Sequence, residues 1–274
     1  PDGNEACYTI QGLNGYNHLV TIRCINGVWQ KPQLASFSNP DQNADPYISP
    51  DGKKLFFWSN GPENEGQEPG DNSDIWYVER KNYAWGKPCR LDSLINTEQW
   101  QIFPTVASNG NLYFSSNYPD SKGGFDIYMS HYENETYTAP VNLGDSINTK
   151  GLEQEPFIAP DESYLIFCSD RHSQRVNSWD LFISFRKNDG TWTRAMYMGD
   201  NINSQAMDQA PIVTSDGRFL FFSSKRTRDY DPGSKDFSLE TVNDALENPR
   251  NGNSDIYWVN AGIIEALREK AMKK

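Results

Sequence analysis

Short apolar runs recur along the chain at nearly constant intervals, each opened by a polar turn. They read CYTI from Cys7, LFFWS from Leu55, LYFSS from Leu112, YLIFCS from Tyr164 and FLFFSS from Phe219. Aromatic and β-branched residues dominate them, which marks buried strands. The turns before them are Asp2-Gly3, Asp51-Gly52, Asn109-Gly110, Asp161-Glu162 and Asp216-Gly217, spaced 49, 58, 52 and 55 residues apart. Turn chemistry of the Asp-Gly kind between apolar runs predicts a β-hairpin.

Each repeat is filled out in the same way. A strand introduced by proline precedes the turn, at Pro46, Pro104, Pro156 and Pro211. A third strand opens with an acid and an aliphatic residue at Asp74-Ile75, Asp126-Ile127, Asp180-Leu181 and Asp255-Ile256, with His18-Leu19 in the first repeat. A fourth carries an aromatic residue and usually proline: Trp29 to Pro32, Trp85 to Pro88, Tyr137 to Pro140, and the weaker Trp192-Thr193-Arg194. Proline cannot donate to a ladder, so this strand belongs at a sheet edge.

Four antiparallel strands in roughly 50 residues predict a propeller blade, and a sandwich would not repeat its own sequence in this way. The expected fold class is all-β: one β-propeller domain over 1–274, with five blades at about 1–39, 40–96, 97–148, 149–203 and 204–260. Ile263, Ile264 and Leu267 then lie at helical spacing, predicting a short C-terminal helix over about 261–272. The first repeat begins at its turn and the fifth lacks a fourth strand. The ring is therefore expected either to use a segment preceding residue 1 or to have an open seam.

The elements SPDGKKLFFWSN and SDIWYVER resemble the TolB-type, WD-like propeller repeats of bacterial envelope proteins, over almost the whole chain. The resemblance implies a periplasmic or exported location, with anchoring through an earlier segment as one option, and a role in recruiting partners. It does not imply an activity, because propellers serve binders and enzymes alike.

Composition narrows the classes. The chain has 25 Lys+Arg against 37 Asp+Glu, a net charge of −12, which argues against a nucleic-acid partner. No apolar run approaches the roughly 20 residues of a membrane helix. Four cysteines are too few for a disulfide framework in 274 residues. Cys7 and Cys168 fall inside strands as small buried groups, and Cys24 and Cys89 could pair only if neighbouring strand ends met. His18, His131 and His172 stand in three different repeats with no zinc-like spacing. The D-x-N-x-D start of a calcium loop at Asp41 to Asp45 has Pro46 in place of glycine and Gly52 at its twelfth position. No metal or cofactor is expected, and no hydrolase, P-loop or dinucleotide motif appears.

Candidate chemistry gathers where the chain enters the innermost strands. Asn43, Gln101, Glu153 and Asp208 stand three residues before the prolines, and Asp45, Phe103, Glu155 and Ala210 immediately before them. Side chains two apart share a strand face, which predicts two tiers at one channel mouth. Convergent carboxylates suit acid/base work or cation binding. The alternative, loop ends that tie down backbone amides, is favoured over catalysis. Arg171 and Arg226 are the cations best placed to face these acids, either to clamp a ligand carboxylate or, as the preferred reading, in local salt bridges. The third-strand acids recur in every blade, which points to structural hydrogen bonds. Trp76, Trp85, Tyr128 and Trp192 are expected to pack between blades.

The longest insertions, Gly61 to Ser73 and Lys225 to Ser254, enter the same face, and within the second Ser238 is placed to cap a short helix. The deepest pocket is therefore expected there, with Arg171 or Arg226 at its rim. The leading function is a non-enzymatic, monomeric binding module for a protein, peptide or glycan, with Asn43, Asp45, Gln101, Glu153, Glu155, Asp208, Arg171 and Arg226 at its site. The alternative is a polysaccharide hydrolase or lyase that uses Glu153, Glu155, Asp208 and Asp45.

Overall fold

Each turn closes its hairpin through the same short circuit. The amide of Gly52 donates to Ser49 O (2.8 Å), that of Gly110 to Ala107 O (3.0 Å) and that of Gly217 to Thr214 O (2.8 Å). All three glycines have φ between 69° and 91°, a conformation that costs a side chain about 1 kcal/mol. Glu162 occupies the same position at φ 58°.

A computed structural model describes residues 3–13, 15–62, 68–171, 178–227 and 248–273. Five small antiparallel sheets form a propeller, with one helix after the last. Blade one holds β1 (Glu5–Gln11), β2 (Asn17–Ile25), β3 (Val28–Trp29) and β4 (Gln33–Leu34). Blade two holds β5 (Asn43–Ile48), β6 (Lys54–Ser59), β7 (Asp74–Lys81), β8 (Ala84–Trp85) and β9 (Cys89–Arg90). Blade three runs β10 (Gln101–Val106), β11 (Leu112–Ser116), β12 (Asp126–Ser130), the hairpin β13 (Tyr132–Glu133) and β14 (Thr136–Tyr137), and β15 (Val141–Asn142). Blade four runs β16 (Glu153–Ile158), β17 (Tyr164–Ser169), β18 (Asp180–Phe185) and β19 (Met196–Tyr197). Blade five has β20 (Asp208–Val213), β21 (Phe219–Ser224) and β22 (Asp255–Asn260), followed by α1 (Gly262–Met272). The helix expected after Ser238 lies outside the described residues.

The fourth strand differs from its sequence-based form. Pro32, Pro88 and Pro140 split it, leaving two-residue pieces on either side. In blade two, β8 pairs with the far end of β7 and β9 with its start.

Because side chains alternate along each strand, the cores lie between blades and not at one centre. Leu55, Phe57, Trp76 and Trp85 pack against blade one, while Phe56 packs with Phe114, Tyr128 and Tyr137 of blade three. Trp192 joins the core of blades three and four. A fourth core joins blades four and five and includes Ile264 and Leu267 of α1. Among the described residues no such core links blade five to blade one. Ile256 and Trp258 on β22 are exposed at 78% and 60%, and Tyr8 and Ile10 on β1 at 38% and 40%, so among the described residues nothing covers these two edges. All four cysteines are free.

Two polar devices repeat in the blades. Asn96, Asn148 and Asn203 each receive the amide and bond the carbonyl of the aliphatic residue that opens the third strand, Ile75, Ile127 and Leu181, at 2.7–3.0 Å. The third-strand acids hold the broken fourth strand: Asp74 accepts from Arg90 on β9 (2.7 Å), and the fully buried Asp126 accepts from Asn142 on β15 (2.7 Å) and from the Lys122 amide (3.0 Å). Asp126→Ala and Asn148→Ala are each expected to lower stability by about 1 to 2 kcal/mol in urea unfolding, since each leaves buried donors unpaired. Unchanged midpoints would contradict this role.

Candidate functional site

The four innermost strands β5, β10, β16 and β20 open with the same four-residue grammar, a polar residue, two variable positions and proline. Each carries a register shift against its second strand, between Ala44 and Tyr47, Ile102 and Thr105, Gln154 and Phe157, and Gln209 and Ile212. The pre-proline residue is left-handed in every case: Asp45 φ 54°, Phe103 φ 56°, Glu155 φ 52° and Ala210 φ 52°. Proline disfavours helical backbone before it, and a Cβ disfavours positive φ, so each position costs about 1 to 2 kcal/mol. Strain repeated at equivalent non-glycine positions is where a site is sought.

The bulge breaks the alternation that would have put both tiers on one face. The first tier turns into the loops. Glu153 is fully buried, accepts from the Thr149 amide and hydroxyl (both 2.7 Å) and Ser169 Oγ (2.9 Å), and pairs with Arg171 Nη2 (3.1 Å). Asp208 accepts from Ser204 Oγ (2.8 Å) and pairs with Arg226 Nη2 (2.9 Å). Gln101 makes the neutral version with Thr97 (3.0 and 3.1 Å), and Asn43 bonds Asn39 (2.6 Å) and Asp41 O (2.7 Å).

Charge follows charge across the blades. The residue two after the closing serine of the second strand is Gly61, Tyr118, Arg171 or Arg226, and the first-tier residue is acidic only where it is arginine. Tyr118 bonds Ile95 O, as Arg171 bonds Ile147 O and Arg226 bonds Ile202 O (2.6 Å). Both arginines also stack on aromatic rings, Arg171 at 4.8 Å from Phe182 and Arg226 at 4.4 Å from Tyr257. The recurring I-N-T/S phrase at Ile95, Ile147 and Ile202 went unread in the sequence. Its i, i+4 spacing from Thr97 to Gln101, Thr149 to Glu153 and Ser204 to Asp208 was the available signal.

The second tier behaves differently. Asp45 of blade two and Glu155 of blade four come from sheets that are not neighbours, yet the charge of Asp45 reaches Glu155. Burial and then the charge of Asp45 push the Glu155 carboxyl up to about 7, against donors from the Ala210 amide and Cys168 Sγ (3.7 Å). Burial pushes Asp45 up to about 6, opposed by the Trp58 indole N–H. Two residues further along the strands, the rings of Tyr47 and Phe157 meet edge to face, their centroids 6.5 Å apart. Neither channel acid is paired with an arginine or lysine among the described residues. The arrangement can transfer a proton near neutral pH or receive a cationic group.

A cavity also lies between the turns of blades two and three, on the opposite face. The insertions expected to border a pocket fall partly (Gly61 to Ser73) or largely (Lys225 to Ser254) outside the described residues.

The chain matches no family profile and no curated protein. Solved structures do resemble it. An α-L-arabinofuranosidase from Lactobacillus brevis superposes with a TM-score of 0.56 at 12% identity, over 93% of this chain and 89% of that one. A protein of Agrobacterium tumefaciens assigned to TolB gives 0.51 at 18%, over 85% and 73%. A glycoside hydrolase gives 0.51 at 10%, over 84% and 82%. At these identities the likeness is one of fold, a β-propeller.

Proposed function

We propose that this protein is a non-enzymatic binding module that takes a basic group of a protein or peptide ligand into the loop-side mouth of its channel. The observation that supports it is the Asp45 and Glu155 pair, two half-buried carboxyls without a cation of their own, held by strained backbone at the pre-proline bulges. An ammonium or guanidinium entering between them supplies the missing countercharge. The overall charge of −12 steers cations toward it. An exported, envelope location belongs to this reading through the likeness to TolB.

Affinity for a basic ligand should rise with pH. Binding requires ionised acids, and the two carboxyls lose their protons near pH 6 and 7. A panel of lysine- and arginine-tipped peptides, measured by calorimetry, should bind about tenfold tighter at pH 8 than at pH 5 and lose this gain in Asp45→Asn/Glu155→Gln. A confirmed ligand that binds both proteins equally overturns the assignment.

The near-neutral acid pair and the arabinofuranosidase-like fold favour one second reading, glycan hydrolysis. Release of nitrophenol from 4-nitrophenyl α-L-arabinofuranoside, abolished by Glu155→Gln, would replace the binding reading with it.

A further inference from the structure

Four boundaries between successive blades are described, and on the face carrying the hairpin turns three are filled. Between blades one and two, Arg80 bonds Gly52 O (2.9 Å) and pairs with Glu5 of β1. Between blades three and four, Glu162 reaches over blade three and bonds Asn109 (3.0 Å), Asn111 (2.9 Å) and Tyr113 (2.6 Å). Between blades four and five, α1 lies in place, with Arg268 bonded to Ser163 and 4.8 Å over Phe185. Between blades two and three a cleft of about 680 Å³ remains.

Strand register explains why it is open. Ser59 pairs with Asp74 as Ser116 pairs with Asp126, so Lys54 stands where Asn111 stands one blade on, and Phe56 where Tyr113 stands. The turn residue that would reach over them is Gly110, at φ 91°, with the Tyr132 ring so close that a Cβ would meet it at 2.7 Å. The partners of a carboxylate are thus replaced by an ammonium above an aromatic floor, and the carboxylate itself is missing. Lys54 Nζ is 4.0 Å from Glu79 and lies over the rings of Tyr77 (4.8 Å) and Tyr132 (5.3 Å).

We infer that this cleft is a second binding site, for a ligand that presents a single carboxylate on an aromatic body. The carboxylate meets Lys54 in the place that Glu162 fills at the next boundary, and the body rests on Phe56, Tyr132 and Tyr137. Glu79 and Glu135 at the cleft disfavour a phosphate or any more highly charged anion. The site is independent of the channel, whose acids would repel such a ligand.

The test uses N-acetyl-L-phenylalanine and its neutral amide in a backbone-amide NMR titration of the whole chain. The acid should give saturable shifts at Lys54, Gly110 and Tyr132, with the amide bound about fivefold more weakly. Lys54→Met keeps the stem over the rings and should weaken the acid by about the same factor while leaving the amide unchanged. Equal binding of acid and amide, an unaffected Lys54→Met protein, shifts that map to another face, or no saturation within the solubility of the acid would each overturn the assignment.

Discussion

Replacing Glu155 by glutamine should make the protein more stable at pH 8 and leave it nearly unchanged at pH 4. The Glu155 carboxyl titrates near 7 in the fold against an ordinary 4.5, chiefly because it is buried and then because Asp45 is close. A group whose folded value is raised opposes folding when ionised. The cost is absent below the unfolded value, grows as pH rises through the window from about 4.5 to 7, and is constant above it. Its size is about 2 to 3 kcal/mol, which denaturant midpoints at the two pH values resolve. Glutamine keeps an oxygen for the Ala210 amide, so the comparison isolates charge. A variant equally or less stable at pH 8 would mean that the channel solvates the carboxylate well, and the binding proposal would lose its energetic basis. A retained destabilising charge is what a ligand-binding pair is expected to carry.

Glu162→Ala should cost about 3 kcal/mol, the largest loss expected for a single substitution on the turn face. The residue is 8% exposed, and its carboxylate accepts from three side chains of blade three and pairs with Arg186 of its own blade (2.7 Å). Burial opposes its ionisation, yet the bonds from Tyr113 and Asn111 and the charge of Arg186 outweigh it and hold the carboxyl below its ordinary value. Its backbone is left-handed, so Glu162→Gly should recover about 1 kcal/mol of what alanine loses. If neither substitution destabilises, the carboxylate is not joining the two blades, and if glycine and alanine are equivalent, the left-handed backbone carries no strain.

The architecture was legible because it is periodic. The turn phrase, the third-strand acids and the edge prolines recur, and repetition separates a blade from a chance strand. Asp161-Glu162 reads in the sequence as one more turn of the series. Its meaning depends on Asn109 and Asn111 of the preceding blade, which proximity in sequence does not disclose. The two tiers at the channel mouth were read with strict strand alternation, and a left-handed residue before proline has no sequence signal of its own, so Glu153 and Glu155 appeared to share a face. Arg171 and Arg226 were visible as candidates, but their match to Glu153 and Asp208 emerges only when the four blades are compared position by position. The fourth strands were placed correctly at the edge, and their breakage at Pro88 and its equivalents follows from the missing amide.

Those broken strands also bear on how the molecule behaves in a crowded solution. A continuous outer strand would offer another chain a row of open donors and acceptors, the template on which sheets grow from one molecule to the next. Here the rim of blades one to three is cut into two-residue pieces at Pro32, Pro88 and Pro140, and that of blade four is the two-residue β19. Along these four rims a passing strand finds no longer run to pair with, and the longer open edges among the described residues are β22 of blade five and β1 of blade one. The outer rims of blades one to four are thereby kept from pairing edge to edge, which confines that hazard to the boundary between blades five and one.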